Sequence, residues 1–224
     1  MNNLKSFLLL LLAIGIVIFV HEFGHFTAAN FFNVRTPTFS VGFGPKIFSI
    51  KTEKTEYKIS AIPLGGYTTI NQDDLAKATF FQKFIILIAG VIFNLIFAFI
   101  IFYIFFLFAN HFHIFAAINL SIRLLIDLFL DSGLYIFNAL QNRSYFHQHN
   151  LQINTQTQLF FLAIGTICIE VAFFNILPIP FLDGGQITKL ILQKIFGGLL
   201  DPFIDLILLI LVIITIVLIK RSKK

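Results

Sequence analysis

The amino-acid sequence predicts an α-helical polytopic membrane protein with about four transmembrane helices and a membrane-associated β-hairpin between the first two. Of its 224 residues, 58% are hydrophobic and 12% are charged, and the mean hydropathy is +0.90. Uncharged apolar runs long enough to cross a bilayer recur along the chain, which excludes a soluble protein. The predicted spans cover residues 6–30, 84–109, 159–177 and 203–219.

The segments between the spans carry different patterns. Residues 38–68 alternate β-branched or aromatic residues with polar ones and are interrupted by glycine and proline, so a β-hairpin is expected there. Residues 115–130 place Arg123 and Asp127 four positions apart on one face of an otherwise apolar helix, which favours a helix in the membrane interface. No linker or repeat divides the chain, and we expect residues 1–224 to form a single domain.

The charge of the chain limits its partners. A formal net charge of +5 is small for 224 residues and is typical of loop charges that orient a membrane protein, so no nucleic-acid partner is expected. Lys and Arg are almost evenly divided between the two sides that four spans predict, so charge alone leaves the orientation open. The single cysteine, Cys168, excludes an intramolecular disulfide and a multi-cysteine metal site.

The stretch HEFGH, residues 21–25, closes the first apolar run. His21 and His25 lie four positions apart, so on a helix they share one face and can bind one metal ion. Glu22 lies beside them, placed as a general base in the HExxH arrangement. A lone histidine in a membrane helix usually only packs, but a charge at such depth costs about 3 kcal/mol. Three ionisable groups so close together favour a shared divalent cation.

A catalytic zinc ion needs a third protein ligand beside an open position for water. Asp183 is the candidate, because it follows the third span in PFLDGG, where prolines end the helix and glycines allow close backbone approach. Two neutral histidines, one aspartate and Zn²⁺ leave one positive charge, which ionised Glu22 cancels, and a neutral cluster suits a low dielectric. The sequence therefore predicts one zinc ion per chain. An alternative role for Asp183 is the N-cap of a helix over residues 184–195.

These residues lie in motifs that resemble the site-2 proteases, a family of intramembrane zinc metalloproteases. The resemblance is carried by HEFGHFTAA, FSVGFGPKIF, YKISAIPLGGY, AGVIFN and NILPIPFLDGG, which follow the family's order through the first three spans. It is closest to the bacterial branch that cleaves anti-sigma factors and remnant signal peptides within or near transmembrane segments. The resemblance implies the zinc ligands His21, His25 and Asp183, with Glu22 as the general acid and base.

The resemblance also implies how substrate is held. Asn175 is expected to hold the substrate or the oxyanion, and capping of the carbonyls freed around Pro178 is an alternative role for it. Asn94 has a weaker substrate-shaping assignment, because Val91 replaces the proline of the family's GPxxN motif. A strand of YKISAIPLGGY is expected to pair with an unwound substrate as an added strand. The strand residues concerned are Ile59, Ala61, Gly65 and Gly66.

The implied location is the bacterial inner membrane, as a multi-pass protein with its active site towards the cytoplasm. The implied partners are transmembrane protein substrates and the lipid bilayer. Segment 111–158 is too short for the PDZ domain that this branch inserts, so its size filter is absent or is supplied by an accessory protein. Glu170, an acid inside the third span, is expected to pair with a polar neighbour or to line a water cavity rather than to bind zinc.

Two functions of other classes are alternatives. The first is a non-catalytic membrane chaperone or sequestering protein on the same fold, which would not require Glu22, both histidines and Asp183 together. The second is a small ion-coupled transporter that uses Glu170, Asp205 and the histidines as an ion path. A zinc assay and a proteolysis assay separate these functions from a protease.

Overall fold

The computed structural model describes residues 3–109, 113–140, 156–197 and 203–221. Its elements in chain order are α1 (Asn3–Phe31), β1 (Thr38–Lys51), β2 (Glu56–Thr69), α2 (Gln72–Lys77), α3 (Phe80–Ala109), α4 (Ile114–Leu140), α5 (Gln156–Ile176), α6 (Asp183–Phe196) and α7 (Ile204–Arg221). Among the described residues, three helices are long and apolar enough to cross a membrane, namely Leu4–Phe31, Phe80–Phe108 and Thr157–Ile176. The predicted class, a polytopic membrane protein, is confirmed.

Helices α1, α3 and α5 coincide with the first three predicted spans. The predicted fourth span falls on α7, where the described apolar helix, Ile204–Ile214, is shorter than those three. Helix α4 continues to Leu140, well beyond the end expected for the interfacial helix over 115–130. Gly133 lies inside α4 and not at its end, and a Cβ there would lie 3.5 Å from the ring of Phe173 in α5. Helix α4 therefore continues past a residue that disfavours a helix.

Helix α3 lies at the centre of the helical core and packs against α1, α4 and α5. Its fully buried Phe102 belongs to a cluster with Val17 of α1, Leu124 of α4 and Ile169 of α5. Gly165 of α5 makes this packing possible, since a Cβ there would lie only 2.4 Å from the ring of Phe102. The close approach of these helices holds α3 directly behind the end of α1 that carries HEFGH.

The strands β1 and β2 form a small sheet in which each strand bends back on itself. Residues 48–51 pair antiparallel with residues 56–59 in a hairpin. Residues 38–41 pair in parallel with the other edge of residues 56–59, and antiparallel with residues 66–69. The β-hairpin expected over 38–68 is therefore confirmed, and residues 66–69 form one outer edge of the sheet.

The sheet rests on the last turns of α1. Strand β1 changes direction at Gly42, whose φ of 88° lies in a region that glycine enters without strain. The ring of Phe39 packs edge-on against that of Phe26, with centroids 5.3 Å apart. Thr68 Oγ1 donates a hydrogen bond of 3.1 Å to the carbonyl oxygen of Glu22. These contacts bring the outer edge of the sheet beside HEFGH.

A salt bridge ties the start of the sheet to α2. Arg35 Nη2 donates to Asp74 Oδ1 at 2.9 Å, and hydrogen bonding by Arg35 lowers the pKa of Asp74 to about 2. Asn71 caps α2 through a hydrogen bond of 3.0 Å from the Asp74 amide to its side-chain oxygen. The segment between the sheet and α3 is thereby held along the side of α1.

Two glycines allow the chain to fold back between α5 and α6. A Cβ on Gly184 would lie 2.3 Å from the carbonyl oxygen of Ile176, and one on Gly185 would lie 2.1 Å from that of Ile179. Any larger residue would force the backbone apart, because neither oxygen belongs to a side chain that can move. The fold-back places Asp183, the first residue of α6, at the level of the HEFGH turn.

Candidate metal centre

Helix α1 places His21 and His25 one turn apart on one face. Both residues are buried, with exposed fractions of 7% and 8%. Their Nε2 atoms lie 3.2 Å apart, and their ring planes are nearly perpendicular, at 79°. The two imidazoles therefore converge on one point through the same ring nitrogen, the geometry expected from their spacing.

Asp183 joins the histidines from the start of α6. Its Oδ2 lies 3.1 Å from His21 Nε2 and 3.3 Å from His25 Nε2. The N-cap position of α6 is held by Leu182 and not by Asp183, so the alternative role predicted for the aspartate does not apply. Its carboxylate is turned towards the ring nitrogens instead.

The three ligand atoms fit one tetrahedral zinc ion. Nitrogen and oxygen ligands about 2.0–2.1 Å from such an ion lie about 3.3–3.4 Å from one another. The separations in the structure are 3.1, 3.2 and 3.3 Å. Asp183 Oδ2 is buried and accepts no hydrogen bond within the described part of the chain. Two imidazoles and this oxygen form a group able to hold a metal ion.

The candidate ligand Asp183 is anionic at neutral pH. Burial by itself raises the pKa of this carboxyl group, but the adjacent side chains of His21 and His25 outweigh that effect and lower the pKa to about 2. One carboxylate and two neutral imidazoles would leave a bound Zn²⁺ with one uncompensated positive charge. That charge favours the ionised form of a neighbouring carboxylate and polarises a carbonyl group.

Glu22 lies on the open side of this group. It is half-buried and lines a cavity of about 500 Å³ together with His21, His25 and Asp183. The neighbouring strand passes close to Glu22 at Gly66, where a Cβ would lie 3.3 Å from Glu22 Cγ. The Glu22 carboxylate and the three candidate metal ligands thus line the same cavity.

The family of the chain follows from its similarity to known proteins. Residues 9–219 match Peptidase family M50. The chain belongs to this family. A candidate zinc metalloprotease of Fusobacterium nucleatum is 39% identical over 107 residues, which cover 44% of this chain and 32% of the relative. Corresponding proteins of Borreliella burgdorferi and Helicobacter pylori are 40% and 36% identical over 109 and 110 residues.

These matches cover 41% and 43% of this chain, and 25% and 32% of the two relatives. The chain therefore matches about a quarter to a third of the length of the M50 relatives. Each relative is described as a candidate zinc metalloprotease. Zinc is accordingly the metal that membership of the M50 family and the donor set of the site both indicate.

In this M50 chain, α3 forms the wall behind the two histidines. His25 Nδ1 lies 2.7 Å from the carbonyl oxygen of Ile86, which can accept its proton and leave Nε2 free for a metal. Gly90 lies one turn further along α3, and a Cβ there would lie 2.5 Å from His25 Nε2 and 2.6 Å from His21 Cε1. Neither contact is predicted by the sequence. The only local signal for Gly90 is its position four residues before Asn94 in AGVIFN.

Replacement of Gly90 by alanine is expected to weaken zinc binding by at least tenfold, the scale of losses from disturbed support around metal ligands. The added methyl group would occupy space that both imidazole rings need. In an unhindered helix the same change stabilises by about 1 kcal/mol, so helix propensity predicts the opposite sign. Competition for zinc with a chromophoric chelator, in detergent solution, measures the effect.

The matched control is Gly15→Ala in α1, because a Cβ on Gly15 would meet no atom within 4 Å. This variant should bind zinc as the wild type does. If Gly90→Ala also bound zinc with wild-type affinity, α3 would not pack closely against the two imidazole rings at Gly90.

The two asparagines assigned to substrate lie in different places. Asn175 lines the cavity that contains the metal ligands. Its Nδ2 donates to the carbonyl oxygen of Val171 at 3.0 Å, a bond within α5 rather than to the carbonyls around Pro178. Asn94 is completely buried and does not line this cavity; it lies behind His21. The weaker assignment of Asn94 to substrate has no support from this position.

The sheet edge that meets the cavity is adjacent to the one predicted. Ile59 pairs with Val41 on one side and Phe48 on the other, so both of its hydrogen-bonding edges are occupied within the chain. Residues 67–70 line the cavity instead. The other predicted strand residues lie outside its lining, namely Ala61, Gly65 and Gly66. Alternation along the sequence predicts a strand, but it does not show which strands take the inner places of a sheet.

The acids of the transporter alternative are not assembled with the histidines. Glu170 is half-buried on α5 and does not line the metal cavity. Asp205 forms a salt bridge of 3.1 Å with Lys189 between α7 and α6. In the part of the chain that the structure describes, neither acid belongs to the group of metal-binding side chains. Two polar residues of the cavity that the sequence analysis missed are Gln72 and Gln186.

Proposed function

We propose that this chain is an intramembrane zinc metalloprotease that hydrolyses peptide bonds within or near transmembrane segments of membrane proteins. The observation that carries the proposal is the convergence of His21, His25 and Asp183 from two separate helices on one point. Glu22 lines the same cavity. A helix long and apolar enough to cross the bilayer carries the two histidines and the glutamate, so the bond to be cut must reach a site attached to a membrane span.

The residues of the cavity supply the remaining parts of a hydrolytic mechanism. A zinc ion held by the three ligands would lower the pKa of a water molecule to about 7 and polarise the carbonyl group of the substrate. Glu22 takes the proton of the attacking water and delivers it to the leaving amine. Asn175 holds the substrate or the developing oxyanion, a contact of a kind typically worth about 3 kcal/mol.

A helical substrate must unwind locally before its carbonyl groups become accessible, because they are hydrogen-bonded within the helix. Residues 67–69 lie in the wall of the cavity, and in the described part of the chain their strand pairs only with residues 38–41. Pairing of an opened substrate segment with this strand replaces the backbone hydrogen bonds that unwinding removes. Substrates with Gly, Pro, Ser or Asn in their spans are preferred for the same reason.

The substrates we propose are single-span proteins of the anti-sigma-factor or remnant-signal-peptide type in the bacterial inner membrane, cut on its cytoplasmic side. Support for the class of substrate comes from the resemblance of HEFGHFTAA and NILPIPFLDGG to the site-2 proteases and from membership of family M50. We also propose that an accessory protein supplies the size filter for which segment 111–158 is too short. No nucleic acid is a partner in this proposal.

The proposal is tested by removal and return of zinc. The purified chain, reconstituted in liposomes with a single-span substrate, is expected to yield a cleavage product that a zinc chelator abolishes. Addition of one equivalent of zinc per chain should restore cleavage to its initial rate. Samples carried through the same steps without chelator control for loss of fold.

Cleavage that continues in zinc-free protein would contradict the proposal. A chain that binds one zinc but cuts none of a panel of spans would indicate the chaperone or sequestering function. Ion flux into the liposomes without any cleavage product would indicate the transporter.

A further inference from the structure

Asn94 is the one polar side chain of α3 that lies against a metal ligand within the described residues. It is completely buried, and its Nδ2 atom lies 3.4 Å from His21 Nδ1. Its Oδ1 atom is also buried, and it has no hydrogen-bond partner in the described part of the chain. A buried carbonyl oxygen without a partner is unfavourable. The arrangement therefore calls for an explanation.

The position of the proton on the imidazole ring of His21 bears on this arrangement. His21 Nε2 lies within 3.2 Å of the other two ligand atoms, so it is the nitrogen that faces a metal. A neutral imidazole that binds metal through Nε2 carries its proton on Nδ1 and must donate it. An amide nitrogen cannot accept that proton, but an amide oxygen can. The two ends of a primary amide have nearly the same shape, so exchanging Oδ1 and Nδ2 gives the Nδ1 proton of His21 an acceptor. The exchange moves the amide N–H groups to the position where Oδ1 has no partner among the described residues.

The same arrangement is present at the second histidine. His25 Nδ1 already lies 2.7 Å from a carbonyl oxygen, that of Ile86. Ile86, Gly90 and Asn94 follow one another at intervals of four residues, so they form one stripe along α3. Ile86 offers its carbonyl oxygen as an acceptor to His25. Gly90 leaves room for both imidazole rings, and Asn94 lies against His21.

We propose that Asn94 is a positioning residue whose amide oxygen accepts the Nδ1 proton of His21 and so holds Nε2 towards Asp183. It acts on the metal only through His21, and it does not contact substrate. The inference rests on the proposed function in one respect, that the ion bound by His21 is zinc. It gives a role to Asn94, the last residue of AGVIFN, although Val91 replaces the proline of the family's motif.

Three variants test the role of the amide oxygen: Asn94→Leu, Asn94→Asp and the control Ser121→Ala. Leucine has a similar size but no acceptor, so the affinity for zinc should fall between tenfold and a hundredfold. Aspartate lacks the amide N–H groups but keeps an oxygen acceptor. The zinc affinity of the Asn94→Asp protein should therefore stay within about threefold of the wild type or increase. Ser121 is buried in α4, and among the described residues its hydroxyl donates to the carbonyl oxygen of Ala117 in the same helix, so its exchange should leave zinc affinity unchanged. Chelator competition measures affinity, and thermal unfolding confirms that each variant is folded.

A second comparison tests whether Asn94 acts through His21. In the His21→Ala background, Asn94→Leu should cause no further change in the remaining zinc affinity. In the His25→Ala background it should still cause its full loss. Equal losses in Asn94→Asp and Asn94→Leu would overturn the proposal, since an acceptor would then not suffice. Equal effects of Asn94→Leu in the two histidine backgrounds would also overturn it.

These measurements do not depend on proteolysis. A chain that shows the expected zinc affinities but cuts no substrate would contradict the proposed function and leave Asn94 as the positioning residue of a zinc site. A chain that cuts its substrate, and whose Asn94→Leu variant binds zinc as tightly as the wild type, would overturn the inference about Asn94 alone.

Discussion

Glu22→Gln should reduce cleavage of a single-span substrate by roughly a thousandfold, within the range that general acid–base catalysis contributes, while one zinc per chain stays bound. Glutamine has nearly the same shape, but it cannot take a proton from water or return one to the leaving amine. The metal stays because the three side chains that converge on it are unchanged. Product formation by gel or mass spectrometry, together with zinc content of the same preparation, measures both parts of the prediction.

Glu53→Gln is the matched control for this exchange. Glu53 lies exposed in the turn between β1 and β2, away from the metal cavity, so its neutralisation should leave both cleavage and zinc content at wild-type values. Cleavage that survives in Glu22→Gln would end the role of Glu22 as the general acid and base. Loss of zinc in Glu22→Gln would instead make Glu22 a ligand.

The second large effect is expected from Asp183→Asn, which should lower the affinity for zinc by a hundredfold or more. Loss of a supporting group around a ligand costs about ten- to a hundredfold, and loss of the anionic ligand itself should exceed that range. The asparagine amide also carries N–H groups, which do not bind a metal. In Asp183→Asn they would compete for the position of the carboxylate oxygen that lies 3.1 Å from His21 Nε2. Zinc content after dialysis against a chelator of known affinity measures the change.

Asp205→Asn is a suitable control for this variant. Asp205 is an exposed aspartate that forms a salt bridge with Lys189 of α6, the helix that begins with Asp183. Its zinc content should match the wild type. Unchanged zinc affinity in Asp183→Asn would remove Asp183 from the ligand set. The site would then consist of two histidines, too few protein ligands for a catalytic zinc ion.

Much of the candidate site could be predicted from the sequence, because its parts depend on short-range spacing. Four residues of helix bring His21 and His25 onto one face whatever surrounds them. The prolines and glycines before and after Asp183 predicted the end of a helix and a close backbone approach, and in the structure Gly184 and Gly185 lie against backbone carbonyl oxygens. The chemistry of those residue types also predicts Glu22 as the general acid and base and zinc as the metal, and these two assignments stay predictions.

Other features could not be predicted, because they depend on contacts between distant segments. Glycine disfavours a helix, yet α4 continues past Gly133, which lies beside the ring of Phe173 in α5. The alternating residues around Ile59 predict a strand, but only the pairing with both Val41 and Phe48 shows that it lies inside the sheet. The outer strand of the sheet that lines the cavity is instead formed by residues 67–69, as far as the described residues show.

The sequence by itself determined the membrane class, the pair of histidines on one helical face, and an aspartate at the reversal after the third span. The reason is that apolar length and residue spacing act within single segments. Only the tertiary structure decided which groups surround that site, such as Gly90 against both rings and Asn94 behind His21. These contacts depend on the rotation and depth of α3 relative to α1, which is set by packing across the whole bundle, including the close approach of Gly165 to Phe102.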